Sequence, residues 1–517
     1  MFFLLRLSKA DISRHKISPI KLDSEKAASH PQQMLLPKRA SARLRLSFSR
    51  HKVIGAIALP AIVTNIATAL FGLADIWAIG RLGDPQAQGG VEIGAKLLTT
   101  LCVLFNFLRS GTTALTAQAA GRQNTTQASH SAALSEAQWQ EAGLRHPANI
   151  EASHETEQTL IRAVSLALGL GLLLLLFKTF IIPFGLSLMN ASGGIREQAA
   201  SYVCLRYWIV PLILANMALS AWLIGMRSMR LVLAIEVASN FFHISMDCLF
   251  VLLLKQGVNG VAHASIISEI FSTLLLLAAV TRYASPQLLC RLGFHRLTWQ
   301  KETIYSLFSL NRDLFIRTLL LMTAIIFFTR MSVQQGAILL AANAIINQLF
   351  SLATLILDGY ESSAQILCGE AAGAKDHTRF SQLMRATLLQ AFLVATLLAL
   401  IYGFSGSLLV KSFTTDSIVA QAAGNLSIWL VVLPLVGVSS YVMDGVFVGA
   451  GWSKAMMGSM AIALLLFMIS LFFFKAWGNN GLWLSFSLFL FYRSSAQLIL
   501  LSFMEKRQFY ANKDLKH

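Results

Sequence analysis

The sequence predicts an all-α polytopic membrane protein, with twelve transmembrane helices in two six-helix lobes related by an internal repeat. Three observations predict it: an apolar composition, a motif order that runs through the chain twice, and a few ionisable residues isolated inside apolar runs. Of 517 residues, 55% are hydrophobic and 13% charged, and the mean hydropathy is +0.62. A soluble domain carries about 25% charged residues. The apolar runs reach about 20 residues, the length that crosses a hydrocarbon core of roughly 30 Å. The short alternating segments of a membrane β-barrel are absent.

Taken in order, residues 1–52 form a basic tail with twelve Lys/Arg against three Asp/Glu. The net charge of +17 invites a nucleic-acid reading. The positive-inside rule accounts for it better, as a tail retained in the cytoplasm, so no nucleic-acid partner is expected. Met1-Phe2-Phe3-Leu4-Leu5 is too short for a signal-peptide core, and Met34, just before a basic stretch and the first span, offers a second start. Six spans at about 53–80, 91–119, 161–188, 197–225, 231–254 and 258–282 make an N-lobe over residues 53–283. It is interrupted by a polar insert at 121–160. That insert holds Glu136, Glu141, Glu151, Glu155 and Glu157 with His130, His146 and His154. The histidine spacing fits no standard metal pattern, so a solvated cytoplasmic loop is expected. A linker at 284–310 leads to six spans at about 311–335, 338–370, 380–411, 417–449, 453–477 and 481–504, a C-lobe over 311–505, and a tail at 506–517. Arg227, Arg230, Arg282, Arg291, Arg296, Lys375, Arg379 and Lys506 fall on one side of this arrangement, which sets both termini in the cytoplasm. The cysteines Cys102, Cys204, Cys248, Cys290 and Cys368 are scattered and read as small buried hydrophobes.

The repeat is carried by three motif pairs. Gln118-Ala119-Ala120-Gly121-Arg122-Gln123-Asn124 matches Glu370-Ala371-Ala372-Gly373-Ala374-Lys375-Asp376. Ile224-Gly225-Met226-Arg227-Ser228 matches Val448-Gly449-Ala450-Gly451-Trp452, and Asn259-Gly260 matches Asn480-Gly481. Six spans per copy is an even number, so both copies share an orientation and an axis along the membrane normal, with a cavity between them. Asp75 and Asp247 each lie inside an apolar run. A carboxylate at membrane depth costs roughly 2.5–3.5 kcal/mol on insertion scales and marks an ion or proton path by default. Their repeat equivalents are Ala324 and Met468, so the carboxylates belong to the first copy alone and point to a site in the N-lobe.

Several runs carry a family resemblance. Leu59-Pro60-Ala61-Ile62-Val63-Thr64-Asn65-Ile66, then Gly72-Leu73-Ala74-Asp75-Ile76-Trp77-Ala78-Ile79-Gly80, resembles the first span of MATE multidrug efflux transporters of the DinF branch. So do Phe107-Leu108-Arg109-Ser110-Gly111-Thr112-Thr113 and the residues on to Gln118, Asn311-Arg312-Asp313, Leu357-Asp358-Gly359-Tyr360, and Met443-Asp444-Gly445-Val446-Phe447-Val448-Gly449. The similarity covers about residues 50–505, in order, without the tail and the 121–160 insert. It implies a central cavity between the lobes and cation-driven efflux by rocker-switch alternating access. By position, Asp75 resembles the titrating aspartate of the first helix and Pro60 the proline where that helix bends. Asp247 resembles the fifth-helix aspartate, with Asn240 and Ser265 as polar partners. The substrate cavity is expected to draw on Thr68, Asn216, Ser265, Asp358 and Asp444, although the two Asp-Gly pairs could equally stabilise helix breaks.

His243 departs from the family, which usually has asparagine there. Positions 243 and 247 are i and i+4 on one helix face and can touch, with Asn240 on the same face. Sodium wants oxygen ligands, which an amide supplies and an imidazole does not, whereas histidine titrates near neutrality. Protons, rather than sodium, are therefore the expected coupling ion. Glu236 and Glu269 lie near helix ends and are expected to snorkel. Arg109 and Arg206 are expected to pair with carboxylates or carbonyls, and Met246 and the phenylalanines to offer an adaptable apolar lining.

The resulting reading is a proton-coupled exporter of amphipathic or cationic organic compounds in a bacterial inner membrane, monomeric and without a cofactor. The alternatives are sodium coupling and a flippase for lipid-linked precursors or polysaccharide. A flippase would want arginines for a pyrophosphate, whereas the ionisable residues expected at depth are acidic. No His-Glu-x-x-His, Gly-x-Ser-x-Gly or Gly-x-x-x-x-Gly-Lys-Ser/Thr motif is present, which argues against an enzyme and against a self-contained ATP-driven pump.

Overall fold

The computed structural model describes residues 50–68, 78–81, 84–133, 154–189 and 191–510. Twelve helices there are long and apolar enough to cross a membrane. They are α1 (Arg50–Thr68), α2 (Pro85–Thr125), α3 (Glu155–Leu176), α4 (Gly193–Gly225), α5 (Met229–Leu253) and α6 (Gly257–Val280) in the first half. In the second are α7 (Lys301–Val333), α8 (Ala337–Gly373), α9 (His377–Gly406), α10 (Ile428–Ala450), α11 (Ser453–Phe473) and α12 (Lys475–Tyr510). Among the described residues there is no strand.

Local chemistry sets the helix ends. Asp84 caps α2 by accepting from the amides of Gln86 (2.9 Å) and Ala87 (3.2 Å), with Pro85 as the first helical residue. Asp376 caps α9 through the Arg379 amide at 2.9 Å. Pro60 lies buried inside α1, where its ring removes one amide donor from the ladder. Lipid takes the place of water around these helices, so the large exposed side chains are apolar: Leu176, Phe180, Phe404, Phe472 and Ile499 among them.

The structure moves two expected boundaries. The helix containing the second half of α2 continues to Ala133, and α3 begins at Glu155, so both flanks of the 121–160 insert are helical. Residues 134–153, with Glu136, Glu141, His146 and Glu151, lie outside the described residues. α7 likewise begins at Lys301, inside the expected 284–310 linker, which also holds a short helix at Pro286–Gly293. Hydropathy marks where a helix is in lipid and is blind to polar turns that extend it into water.

The repeat is visible in how the helices touch. A Cβ on Gly225 would meet the Thr113 carbonyl oxygen of α2 at 2.9 Å; on Gly449 it would meet the Gln365 carbonyl oxygen of α8 at 2.4 Å. One on Gly260 would stand 3.0 Å from the Phe250 carbonyl oxygen, and one on Gly481 2.0 Å from that of Phe474. Matched sequence motifs thus make matched close approaches, which only glycine permits.

Two apolar cores result. One runs through α1–α6 and continues into the C-lobe through Leu357, Ile366, Phe380 and Phe447. The other lies wholly in the C-lobe, around Phe328, Leu349, Phe467 and Trp483. The lobes therefore share one core, and the C-lobe has a second of its own.

Candidate functional site

The N-lobe site is built on α5. Its α-helical part ends at Asp247, and residues Cys248–Leu253 form a π-helical turn, closed by the Leu254 amide donating to the Leu249 carbonyl at 2.9 Å. Single π turns inside helices are rare and occur often at functional sites. Asp247 is 1% exposed. His243 Nε2 lies 3.3 Å from Asp247 Oδ2. One turn back, Asn240 Nδ2 is buried with no hydrogen-bond partner among the described residues, as is Ser265 Oγ on α6. α5 and α6 are held together here by Phe242 stacked on Phe271 at 4.3 Å between ring centroids. Asp75 lies outside the described residues. Thr68, the last described residue of α1, donates to the Thr64 carbonyl at 2.9 Å.

A cavity of about 450 Å³ lies between the lobes. α1 and α2 supply Asn65, Asn106, Arg109, Ser110 and Thr113; α7, α8, α10 and α12 supply Arg317, Asn347, Asp358, Glu361, Tyr441, Phe486 and Arg493, with others. Asp358 and Glu361 are i and i+3 on α8 and so share a face. Among the described residues neither carboxylate has an ion-pair or hydrogen-bonding partner. Asp444 does not line this cavity. It is fully buried behind the wall, ion-paired to Arg317 and Arg493, and it accepts from Gln497 Nε2 at 2.6 Å. The expectation that the intramembrane ionisable groups are acidic needs correcting, since Arg109, Arg317 and Arg493 all line the cavity. Two of them face the carboxylate of Asp444, which offsets the cost of burying their charge.

Other expected residues lie elsewhere. Asn216 on α4 is outside the cavity lining and donates to Glu269 Oε1 at 2.8 Å. Glu269 is therefore held between helices rather than snorkelling. Arg206 donates to the Tyr202 hydroxyl. Arg317, Glu361, Tyr441 and Arg493 were not anticipated, although an arginine inside an apolar run, as in Leu314-Phe315-Ile316-Arg317-Thr318-Leu319, carries the same signal that singled out Asp75.

The matches to known proteins follow this architecture. The family model described as MatE matches residues 60–135, 151–249 and 314–473. The Escherichia coli protein named DNA damage-inducible protein F is 32% identical over 442 residues, covering 86% of this chain and 90% of its own. The chain belongs to the MatE family. As a family member it is a multi-pass membrane transporter and not an enzyme. MATE structures share its fold at low identity. One, titled as the straight conformation, superposes with a TM-score of 0.74 at 15% identity, covering 89% of this chain and 97% of that one. Another, titled as the bent conformation, gives 0.73 at 15%, covering 89% and 96%.

Proposed function

We propose that this MatE-family transporter exports amphipathic or cationic organic compounds from a bacterial cytoplasm in exchange for protons, by alternating access across the inner membrane. The observation that carries the proton reading is the His243–Asp247 pair on α5, 3.3 Å apart, with Asp247 buried and His243 partly buried. Two titratable groups in contact at membrane depth hold and release protons as a unit. Imidazole nitrogen is a poor sodium ligand, which weighs against sodium coupling. Asp75 is assigned to the same network by its sequence position in the family motif.

The substrate reading rests on the cavity between the lobes. Asp358 and Glu361 offer negative charge for an organic cation, and Phe486 and Tyr441 offer aromatic faces for cation–π contact and apolar packing. The three arginines of the wall keep a second reading alive, a flippase for an anionic lipid-linked precursor, in which Arg109 would meet the anion. In this reading both termini are cytoplasmic, which puts the 374–376 connection on the cytoplasmic side, and a monomer is the transporting unit.

Purified protein in liposomes, preloaded with a fluorescent organic cation, tests both points. Efflux driven by an imposed pH gradient and indifferent to a sodium gradient supports the proposal. Efflux that follows sodium alone overturns proton coupling, and failure to move any cation while a lipid-linked anion is translocated favours the second reading.

A further inference from the structure

The two copies of the sequence repeat meet each other at one end of the molecule. In the cavity wall, Gln365 Nε2 of α8 donates to the Ser110 carbonyl of α2 at 2.6 Å, and outside that lining Gln118 Nε2 of α2 donates to the Gly449 carbonyl of α10 at 2.7 Å. Further on, a Cβ on Gly121 would stand 2.1 Å from the Glu370 carbonyl oxygen, and one on Gly373 2.1 Å from that of Gln118. Each contact is the repeat image of the other, since Gln118 and Gly121 correspond to Glu370 and Gly373. The obstructing atoms are backbone, so no side-chain rotation relieves them.

Glu370 marks the same place electrostatically. It is 5% exposed, accepts from Arg379 of its own lobe at 2.9 Å, and is ion-paired to Arg227 of the N-lobe. Arg227 has φ +62, a left-handed conformation that L residues other than glycine adopt at a cost. The repeat-equivalent position is Gly451, at φ +79. The fold wants glycine there, and the N-lobe instead holds a strained arginine whose side chain crosses to the other lobe. Lys255 and Lys375 share the left-handed conformation, so what singles out Arg227 is its ion pair across the lobes to the buried Glu370.

We infer that this closure is the gate on the side bearing the 226–228 and 374–376 connections, latched by Arg227–Glu370 and made possible by Gly121 and Gly373. The inference rests on the alternating-access reading, because a transporter that never parts its lobes needs no latch. In the conformation described here the gate is shut and the cavity lies on its far side. In the opposite state Glu370 gives up Arg227 and keeps Arg379, so its charge is never left alone.

The test uses full-length protein in liposomes, with the five native cysteines replaced and spin labels at Asn124→Cys on α2 and Thr378→Cys on α9, both exposed. The unmodified gate is expected to give mainly a short distance. Gly121→Ala, Gly373→Ala and Glu370→Gln are each expected to add a longer component and to lower transport roughly tenfold, as a shifted open–closed equilibrium does. Gly169→Ala on α3, where a Cβ meets nothing within 4 Å, is expected to change neither. Unchanged distances in all three variants, even with a lowered melting temperature, would overturn the gate and reduce the glycines to static packing. Glu370→Gln decides the matter if the alanine variants do not fold. Longer distances with normal transport would overturn the gate's part in transport, and would do so independently of which ion drives it.

Discussion

His243 is the residue on which the coupling argument turns. A neutral asparagine at this position would leave Asp247 as the single titratable group of the pair, and would add an amide oxygen suited to sodium. His243→Asn is therefore expected to remain active, with its pH profile of efflux displaced and its sodium tolerance raised. Profiles that superimpose on the wild type, with and without sodium, would reduce His243 to a packed side chain. Asp444 tests a different claim. Its carboxylate balances Arg317 and Arg493 inside the C-lobe, so removing it leaves the buried Arg493 guanidinium beside the partly buried one of Arg317 without their counter-charge. Breaking a buried ion pair from one side costs about 3–5 kcal/mol. Asp444→Ala is expected to lower the thermal unfolding temperature markedly, whereas Asp358→Asn, which removes a cavity-facing carboxylate without an ion-pair partner, is expected to weaken binding of organic cations and leave stability nearly unchanged. An unaltered melting temperature for Asp444→Ala would contradict the structural role assigned to it.

At the scale of the helices, α1 and α5 carry the moving parts of the proposed mechanism. Pro60 interrupts the hydrogen-bond ladder of α1 fifteen residues before Asp75. Restoring the amide by Pro60→Ala is expected to cut transport more than it cuts substrate affinity. Equal losses in both would mark the proline as structural only. The spans themselves were legible because twenty apolar residues have few alternatives in lipid, and the i, i+4 contact of His243 with Asp247 was legible because helix geometry alone dictates it. The π turn after Asp247 was not, since nothing in Cys248-Leu249-Phe250-Val251 distinguishes a widened turn from an ordinary one. Nor was the destination of Asp444: a sequence shows that a carboxylate lies in an apolar run, but not that Arg317, 127 residues away, will meet it.

For the whole molecule, the repeat observed in the sequence became the organising fact of the structure, because each matched glycine makes a matched backbone approach. The partition of charge did not follow the repeat. The N-lobe keeps a His–Asp pair on α5, and the C-lobe keeps a nearly balanced set of arginines and carboxylates around the cavity. This asymmetry supports a division of labour in which one lobe holds the coupling proton and the cavity between them holds the cargo. The most direct test compares Asp75→Asn, Asp247→Asn and wild type in liposomes, recording organic-cation efflux and internal pH together under an imposed pH gradient. The account predicts that wild type moves protons inward as cation leaves, and that both variants still bind the cation but exchange neither. Cation efflux at the wild-type rate by a well-folded Asp247→Asn protein would contradict it.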